Sequence, residues 1–272
     1  MDKFENKKIA IIGGGHMGQA LVQGLINSGK ISGSQLIVAN PSLGKIIHLK
    51  KQGVKITSDN RGAVTAAEWI FLAVKPSVIG EVLVEISGVV TNKLLISLAA
   101  VVSLDKLRGL VKHAEVIRVM PNMTISCNQG AIGFYAGEIS GQNKLQVKKL
   151  LTLLGMVVEV EKEEDLDALT LLSGCGSAIV AQFMEMLTNY GLSTGFSLDK
   201  SRVLALQTFK GTVRLVEDSG ISAARLVQAV ATKGGITETI LKNLKQNGFQ
   251  NRFIRAMDSG YTRIRELQKK SI

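Results

Sequence analysis

The feature that most constrains the fold of this chain is a glycine-rich turn directly after a short apolar run near its amino end. The run 8–12 is typical of a buried strand, and Gly13, Gly15 and Gly18 follow it in a G-x-G-x-x-G spacing as the helical segment 17–28 begins. In such a unit the first glycine permits a tight turn, the second lets a diphosphate approach the backbone, and the third lets helix and strand pack closely. The spacing predicts a dinucleotide site at a helix N-terminus, with a purely structural glycine turn as the alternative.

Further strand-like runs alternate with helical spacing over the first 160 residues. Most of them are continuously apolar, which is typical of strands covered on both faces in a parallel sheet. The predicted strands after the first are 36–39, 54–57, 70–74, 94–97, 116–120, 131–134 and 157–160. This alternation predicts an α/β fold with a Rossmann-type parallel-sheet domain over residues 1–162.

The pattern changes after the acidic stretch EKEEDLD at 161–167. Apolar residues at 179, 180, 183, 184 and 187 recur at helical spacing, and similar periodicity continues through 203–216, 226–230 and 240–244. We therefore expect an all-α second domain over residues 163–272. The longest nearly apolar stretch, 94–104, is too short to span a bilayer, and residues 1–8 lack the apolar core of a signal peptide. These features predict a cytoplasmic protein that does not enter a membrane.

The chain is basic, with a formal net charge of +11. Residues 242–272 carry eight Lys/Arg and two Asp/Glu, a net of +6, which favours a solvated helical face over a nucleic-acid-binding stripe. An aromatic content of 4% leaves few side chains on which bases could stack. Cys127 and Cys175 form no CxxC pair, and the three histidines are scattered, so we expect neither a disulfide framework nor a metal site.

Cofactor choice depends on the residues after the second predicted strand. Asn40 ends that strand 22 residues after Gly18, where NAD-binding folds commonly present a carboxylate to the ribose. Without a carboxylate, a 2′-phosphate is not repelled, and Ser42 with Lys45 could receive it. NADPH is therefore favoured, NADH stays possible, and an ordinary Asn-Pro-Ser turn is the alternative. His16 and Met17, at the helix start, are counted with the cofactor-binding residues, although we expect no chemical role for the imidazole.

Four ordered segments extend these patterns over almost the whole chain. They are FLAVKP (71–76), RVMPN (118–122), LSGCGSAIVAQFMEML (172–187) and VATKGGITETI (230–240). With the glycine motif, they resemble pyrroline-5-carboxylate reductase. The resemblance implies a helical domain that forms a homodimer, often within a decamer, and transfer of a hydride from NAD(P)H to a cyclic imine, giving L-proline.

Further cofactor contacts are expected at the carboxyl edge of the sheet, where open α/β folds bind ligands. Lys75 would lie near phosphate or ribose, unless it is simply a solvated lysine. The resemblance implies that Asn60 lies near the adenosine ribose, that small side chains after the fifth strand face the nicotinamide ribose, and that Asn122 bonds the carboxamide. The residues predicted from these segments are Asn60, Ala73, Val74, Lys75, Pro76, Ala99, Ala100 and Asn122.

The segment 232–237 is the predicted substrate site. Two glycines just before the helical stretch 237–244 would expose backbone N–H groups at a helix start, where a carboxylate binds readily. The resemblance implies that the Thr237 hydroxyl reaches the substrate nitrogen, which makes it the catalytic candidate; a helix-cap threonine is the alternative. The predicted substrate-binding residues are Thr232, Gly234, Gly235, Ile236 and Thr237.

Several residues depart from the usual family pattern. The family usually reads GSGPA where residues 174–178 read GCGSA, and Met123, Lys233 and Ile236 also differ from frequent family residues. These departures keep open a divergent paralogue that senses NADPH or reduces another cyclic imine. A hydroxyacid dehydrogenase of the 6-phosphogluconate type would place a catalytic lysine early in the second domain, and residues 176–187 contain none.

Overall fold

The structure, a computed structural model that describes Phe4 and residues 7–270, contains an eight-stranded sheet in the order β3-β2-β1-β4-β5-β6-β7-β8. The strands are β1 (Ile9–Ile12), β2 (Leu36–Ala39), β3 (Lys55–Thr57), β4 (Trp69–Leu72), β5 (Leu94–Ser97), β6 (Glu115–Met120), β7 (Gly130–Tyr135) and β8 (Gly155–Glu159). The predicted α/β fold is confirmed. The expectation drawn from residues 1–8 rests partly on residues 1–3, 5 and 6, which lie outside the described residues.

One strand pair departs from the predicted parallel arrangement. All neighbouring strands pair parallel except β6 and β7, which are antiparallel, with Val119 opposite Phe134. Only the short 3-10 segment Met123–Cys127 links these two strands. A parallel connection needs a crossover of a dozen or more residues, so the short link dictates the reversal.

Strands β1, β2, β4 and β5 are buried on both faces, as their composition predicted, whereas β3 and β8, at the two ends of the sheet, are partly exposed. Ile9 and Ile11 belong to one hydrophobic cluster, whereas Ala10 and Ile12 belong to another on the opposite face of the sheet. Successive side chains of a strand point to opposite faces, so a continuously apolar strand serves two cores at once.

The helices of this part of the chain alternate with the strands or follow them, and polar residues cap several of these helices. The predicted helix 17–28 is observed one residue earlier, and Asp59 and Ser103 accept backbone N–H groups at the starts of two others. The helices are α1 (His16–Asn27), α2 (Asn60–Thr65), α3 (Ile79–Ile86), α4 (Leu104–Leu110), α5 (Gly141–Thr152) and α6 (Asp165–Leu169).

The described residues from 176 to 270 are largely helical, as expected, and form α7 (Gly176–Ser193), α8 (Leu198–Ser219), α9 (Ala223–Val230), α10 (Ile236–Gln246) and α11 (Phe249–Lys270). Two compact units are present. The first, here called the sheet unit, comprises Met1–Ser177 and Tyr261–Ile272, and the second, the helical unit, comprises Ala178–Gly260. The predicted domain boundary near residue 162 stays a prediction.

The helical unit leaves most of its apolar side chains exposed. Phe183 packs against Phe249 and Phe253, with ring centroids 6.2 and 6.1 Å apart. Within residues 178–260, all of which are described, Ala205 is the only buried apolar side chain. By contrast, Val203 is 66% exposed and Leu206 is 58% exposed.

One helical stretch of the described residues, Asp165–Ser193, is long and apolar enough to cross a membrane by length and composition alone. Charged and polar residues such as Asp167 and Ser173 interrupt it, so its apolar residues do not form one continuous run. Only 11% of its most apolar window is buried, in keeping with the exposed apolar surface of the helical unit.

Candidate cofactor and substrate sites

A cleft of about 440 Å³ lies at the carboxyl ends of β1, β2 and β4. Strand β1 lies between β2 and β4, so the order of the strands reverses at β1. Open α/β sheets bind ligands at such a switch point. Small-molecule sites usually have volumes of about 300–1,000 Å³. The predicted cofactor residues that line this cleft are Gly13, Gly15, Asn40, Asn60, Ala73, Val74 and Lys75.

The three motif glycines have different local environments. Gly13 has φ +107°, and a Cβ there would lie 2.6 Å from the Ala73 carbonyl oxygen. A Cβ on Gly18 would overlap the Gly13 carbonyl oxygen, whereas a Cβ on Gly15 would meet nothing within 4 Å. Gly15 also precedes α1 with no side-chain cap, so the first N–H groups of that helix face open space. The loop therefore fits a dinucleotide diphosphate.

Asn40 joins the glycine loop to the loop that follows β2. Its Oδ1 accepts the Gly14 N–H at 3.1 Å, and its Nδ2 donates to the Ser42 carbonyl at 2.9 Å. The side chain thus orders the backbone on both sides of the cleft mouth. Ser42 is exposed and lies outside the residues that line the cleft.

Two carboxylates that the sequence analysis missed also line the cleft. Glu81 and Glu85 lie four residues apart on α3, and Glu85 Oε2 accepts a hydrogen bond from Asn60 Nδ2 at 2.7 Å. The only sequence signal for them is their i, i+4 spacing, which is common on solvated helices and therefore weak.

The remaining predicted cofactor residues lie outside the lining of this cleft. Asn122 is 8% exposed, and its Oδ1 accepts hydrogen bonds from the Thr124 hydroxyl at 2.7 Å and the Ala131 N–H at 3.1 Å. The others are His16, Met17 and Gly18 in α1, Pro76 at the start of a 3-10 turn, and Ala99 and Ala100 after β5. Their roles in binding stay predictions.

The segment 232–237 lies in the helical unit, at the start of α10. Gly234 has φ +77°, and its N–H donates to Glu238 Oε2 at 2.7 Å. The Gly235 N–H donates to the Thr232 carbonyl at 2.9 Å. The two glycine amides expected to be exposed are therefore already engaged, and the N–H groups of Ile236, Thr237 and Glu238 are the ones left without an intrahelical partner.

The carboxylate at this helix start is that of Glu238. The hydrogen bond from the Gly234 N–H lowers the pKa of Glu238 below its ordinary value, and the Lys242 ammonium, 3.2 Å away, lowers it further. An anion is thus stabilised where the sequence predicted a carboxylate site, although the anion is a side chain of this chain.

Thr237 is the second residue of α10, and Gly235 occupies the N-cap position. The Thr237 hydroxyl has no hydrogen-bond partner among the described residues, whereas the Thr239 hydroxyl donates to the Gly235 carbonyl at 3.1 Å. Ile236, between the N-cap and Thr237, is 83% exposed. The Thr237 hydroxyl is therefore available to a ligand.

Two family models match the chain. Residues 163–267 match the model described as pyrroline-5-carboxylate reductase dimerisation, and residues 8–101 match the model described as NADP oxidoreductase, coenzyme F420-dependent. The exposed apolar side chains of the helical unit lie inside the residues matched by the dimerisation model, as does the whole apolar stretch Asp165–Ser193. A partner subunit therefore accounts for this exposed surface.

Relatives match the chain over nearly its full length. Pyrroline-5-carboxylate reductase 3 of Danio rerio is 37% identical over 97% of this chain and 92% of its own length. The pyrroline-5-carboxylate reductase of a Synechocystis strain is 34% identical over 97% of this chain and 99% of its own. A crystal structure of the Plasmodium falciparum pyrroline carboxylate reductase with NADP bound superposes with a TM-score of 0.90 at 30% identity, covering 97% of this chain and 99% of that one.

Proposed function

The chain belongs to the pyrroline-5-carboxylate reductase family, and from this premise we infer that it reduces 1-pyrroline-5-carboxylate to L-proline, the final step of proline biosynthesis. The observation that carries this conclusion is the similarity over 97% of the chain, which includes both the cleft beside Gly15 and the segment 232–237.

We propose that the cleft of the sheet unit holds the cofactor. NADPH, when bound, supplies the hydride. The open space at Gly15 and the free N–H groups of α1 would bind the diphosphate, and the Lys75 ammonium would add a positive charge at the cleft wall. Asn40 would keep the glycine loop in place through its bond to Gly14. Ser42 is proposed as a contact for the 2′-phosphate, because the loop after β2 presents no carboxylate.

We propose that the start of α10 binds the substrate. The N–H groups of Ile236 and Thr237 would bind the substrate carboxylate, and the Thr237 hydroxyl would bond the ring nitrogen. A protonated imine is already electrophilic, so these groups mainly hold C5 in position, and no strong general acid is required.

We propose that the protein forms oligomers through its helical unit. We also propose that it is located in the cytoplasm. Oligomerisation through this unit follows from the family model and the exposed apolar side chains. The resemblance to the family supports a decamer built from dimers. The formal charge of +11 and the two unpaired cysteines support a reducing, aqueous compartment.

The decisive experiment measures loss of reduced-nicotinamide absorbance with pyrroline-5-carboxylate, once with NADPH and once with NADH. We expect imine-dependent oxidation of the cofactor, formation of L-proline in equal amount, and a higher kcat/KM with NADPH. Tight NADPH binding without imine-dependent oxidation would instead indicate a cofactor-sensing paralogue. Oxidation of NADPH by another cyclic imine alone would indicate a redirected substrate specificity.

A further inference from the structure

A largely buried ion pair joins β6 to the segment that follows β8. The Arg118 side chain is 4% exposed, and its Nη1 donates to Glu163 Oε1 at 2.6 Å. The Nε and Nη2 atoms of Arg118 are buried without a hydrogen-bond partner in the described part of the chain. Glu163 is therefore the carboxylate that directly pairs with this buried cation, and breaking a buried pair at one partner leaves an uncompensated charge.

The same Glu163 oxygen also binds the start of a helix. Oε1 accepts the backbone N–H of Leu104, the first residue of α4, at 2.6 Å. A negative charge at a helix N-terminus is favourable, because the first N–H groups have no intrahelical partner. One carboxylate oxygen thus joins β6 to α4, from a position inside the acidic stretch 161–167 that follows β8.

Each of these two partners lies four residues from a predicted nicotinamide contact. Leu104 follows Ala100, and Arg118 precedes Asn122. The loop that leads to Leu104 contains Val101 at φ +64°, a left-handed conformation that is costly for a β-branched residue. This loop therefore needs contacts elsewhere to hold its shape, and Glu163 supplies one of them.

The Arg118–Glu163 ion pair and the cofactor cleft lie on different strands of the sheet. The cleft with Gly13, Asn40 and Lys75 lies over β1, β2 and β4, whereas Arg118 is on β6, beyond β5. A change at Glu163 should therefore disturb the loops after β5 and β6 and leave the loops after β1 and β2 intact.

We propose that Glu163 is a positioning residue for hydride transfer. It holds the loops after β5 and β6 in the conformation that binds the nicotinamide half of NADPH. The inference rests on the proposed function. It assigns Glu163 no contact with substrate or cofactor, because its carboxylate acts through Arg118 and Leu104.

The test compares Glu163→Gln with the matched control Glu159→Gln. Glu159 is four residues earlier and pairs with Lys144 at 2.7 Å, but that pair is exposed, so its loss should change little. For Glu163→Gln we expect an unchanged dissociation constant for adenosine 2′,5′-bisphosphate, which carries the adenosine end alone. We also expect weaker fluorescence enhancement of bound NADPH, which reports a less ordered nicotinamide.

Turnover gives the second measurement. We expect kcat of Glu163→Gln to fall roughly 10- to 100-fold, because a misplacement of about 1 Å costs this much in rate. The isotope effect with NADPH deuterated at the transferred position should be at least as large as in the wild type, since hydride transfer limits turnover in the variant. A lower kcat that only matches a lower number of NADPH-binding sites, counted by titration, would indicate a loss of folded enzyme and would overturn the proposal. Equal weakening of NADPH and adenosine bisphosphate would overturn it as well.

A double variant covers the case in which Glu163→Gln fails to fold. Arg118→Met with Glu163→Gln contains no unpaired buried charge and keeps an acceptor for Leu104, so we expect a Tm near that of the wild type. The fluorescence change should persist in it, because β6 is no longer joined to residue 163, and full recovery would refute the role. If the wild type did not reduce the imine, the proposed function would be wrong. The two binding measurements, with NADPH and with adenosine 2′,5′-bisphosphate, would still test the positioning role of Glu163.

Discussion

The sheet unit buries its apolar strand residues, whereas the helical unit leaves most of its apolar side chains exposed. Strand β1 is buried along its whole length, with Ile9, Ala10 and Ile11 at 0% exposure. On α8 of the helical unit, Val203 and Leu206 are both more than half exposed. The first unit completes its core within one subunit, whereas the second presents a surface that a dimerisation domain covers with another subunit.

This difference separates the two halves of the proposed reaction. The cofactor cleft is built wholly from residues of the sheet unit, and the proposed substrate groups at Ile236 and Thr237 belong to the helical unit. Cofactor affinity should therefore depend on the folding of a single subunit, and assembly should act mainly on the substrate side. Each prediction below tests one side of this division against the other.

The largest effect is expected from two charges on the exposed face of α8. The double variant Val203→Asp, Leu206→Asp should weaken the dimer by at least about 4 kcal/mol, because two apolar side chains at the interface would become buried carboxylates. Analytical ultracentrifugation should show a monomer at concentrations where the wild type is assembled. NADPH binding should survive.

The control for this variant comes from the sheet unit. Val84 on α3 is 62% exposed, as much as the α8 side chains, but it lies outside the residues matched by the dimerisation model. Val84→Asp should leave the mass in solution unchanged. If both variants kept the assembled mass, the exposed side chains of α8 would not belong to the interface. The inferred difference between the two units would then be wrong.

A second contrast lies inside the glycine motif. Gly18→Ala should destabilise the fold by roughly 2–4 kcal/mol, since its methyl would overlap the Gly13 carbonyl. Gly15→Ala should cost less than about 1 kcal/mol of stability and raise the NADPH dissociation constant about 10-fold or more, because its methyl enters the open space of the cleft. Thermal unfolding and calorimetric titration measure the two quantities. Equal loss of stability in both variants would contradict separate roles.

On the helical side, Thr237→Ala should lower kcat/KM by roughly 1.5–3 kcal/mol if its hydroxyl bonds the substrate nitrogen. Thr239→Ala, two residues on, removes a hydroxyl that bonds the Gly235 carbonyl, so it serves as the matched control and should change kcat/KM little. Steady-state kinetics with the imine varied at saturating NADPH distinguishes them. An unchanged value for Thr237→Ala would remove this residue from the mechanism.

The sequence predicted the central strands well because their apolar runs are buried on both faces, but it could not predict the direction of every strand. A run such as β7 has the same composition in either orientation, and the reversal depends on the short link through Met123–Cys127. The return of Tyr261–Ile272 to the sheet unit was equally hidden, since residue 261 lies within the continuous helix α11.

Local motifs predicted the candidate site, and side chains distant in sequence completed it. The glycine spacing located the cleft, because Gly13 and Gly18 avoid close contacts within that loop and Gly15 leaves open space beside it. The bond from Glu163 to Leu104 joins residues 59 positions apart, so no local pattern could reveal it. Glu238 was overlooked for another reason, since its contact with Gly234 requires the left-handed turn to be known first.

The smallest effect is expected from Glu238, whose charge lies beside the proposed carboxylate site. Because hydrogen bonding lowers its pKa, Glu238 is ionised throughout pH 6–8, and its bond to Gly234 is lost only as the pH falls through that lowered pKa. Glu238→Gln keeps an acceptor for Gly234 and removes the negative charge, so the KM for the anionic substrate should fall about twofold, or ~0.5 kcal/mol, at low ionic strength. Salt should abolish the difference. The control Glu217→Gln, at an exposed position on α8, should leave the KM unchanged. A KM raised only in Glu238→Gln would contradict the prediction, because it would mean that the Glu238 charge orders the segment 232–237 more than it repels the substrate.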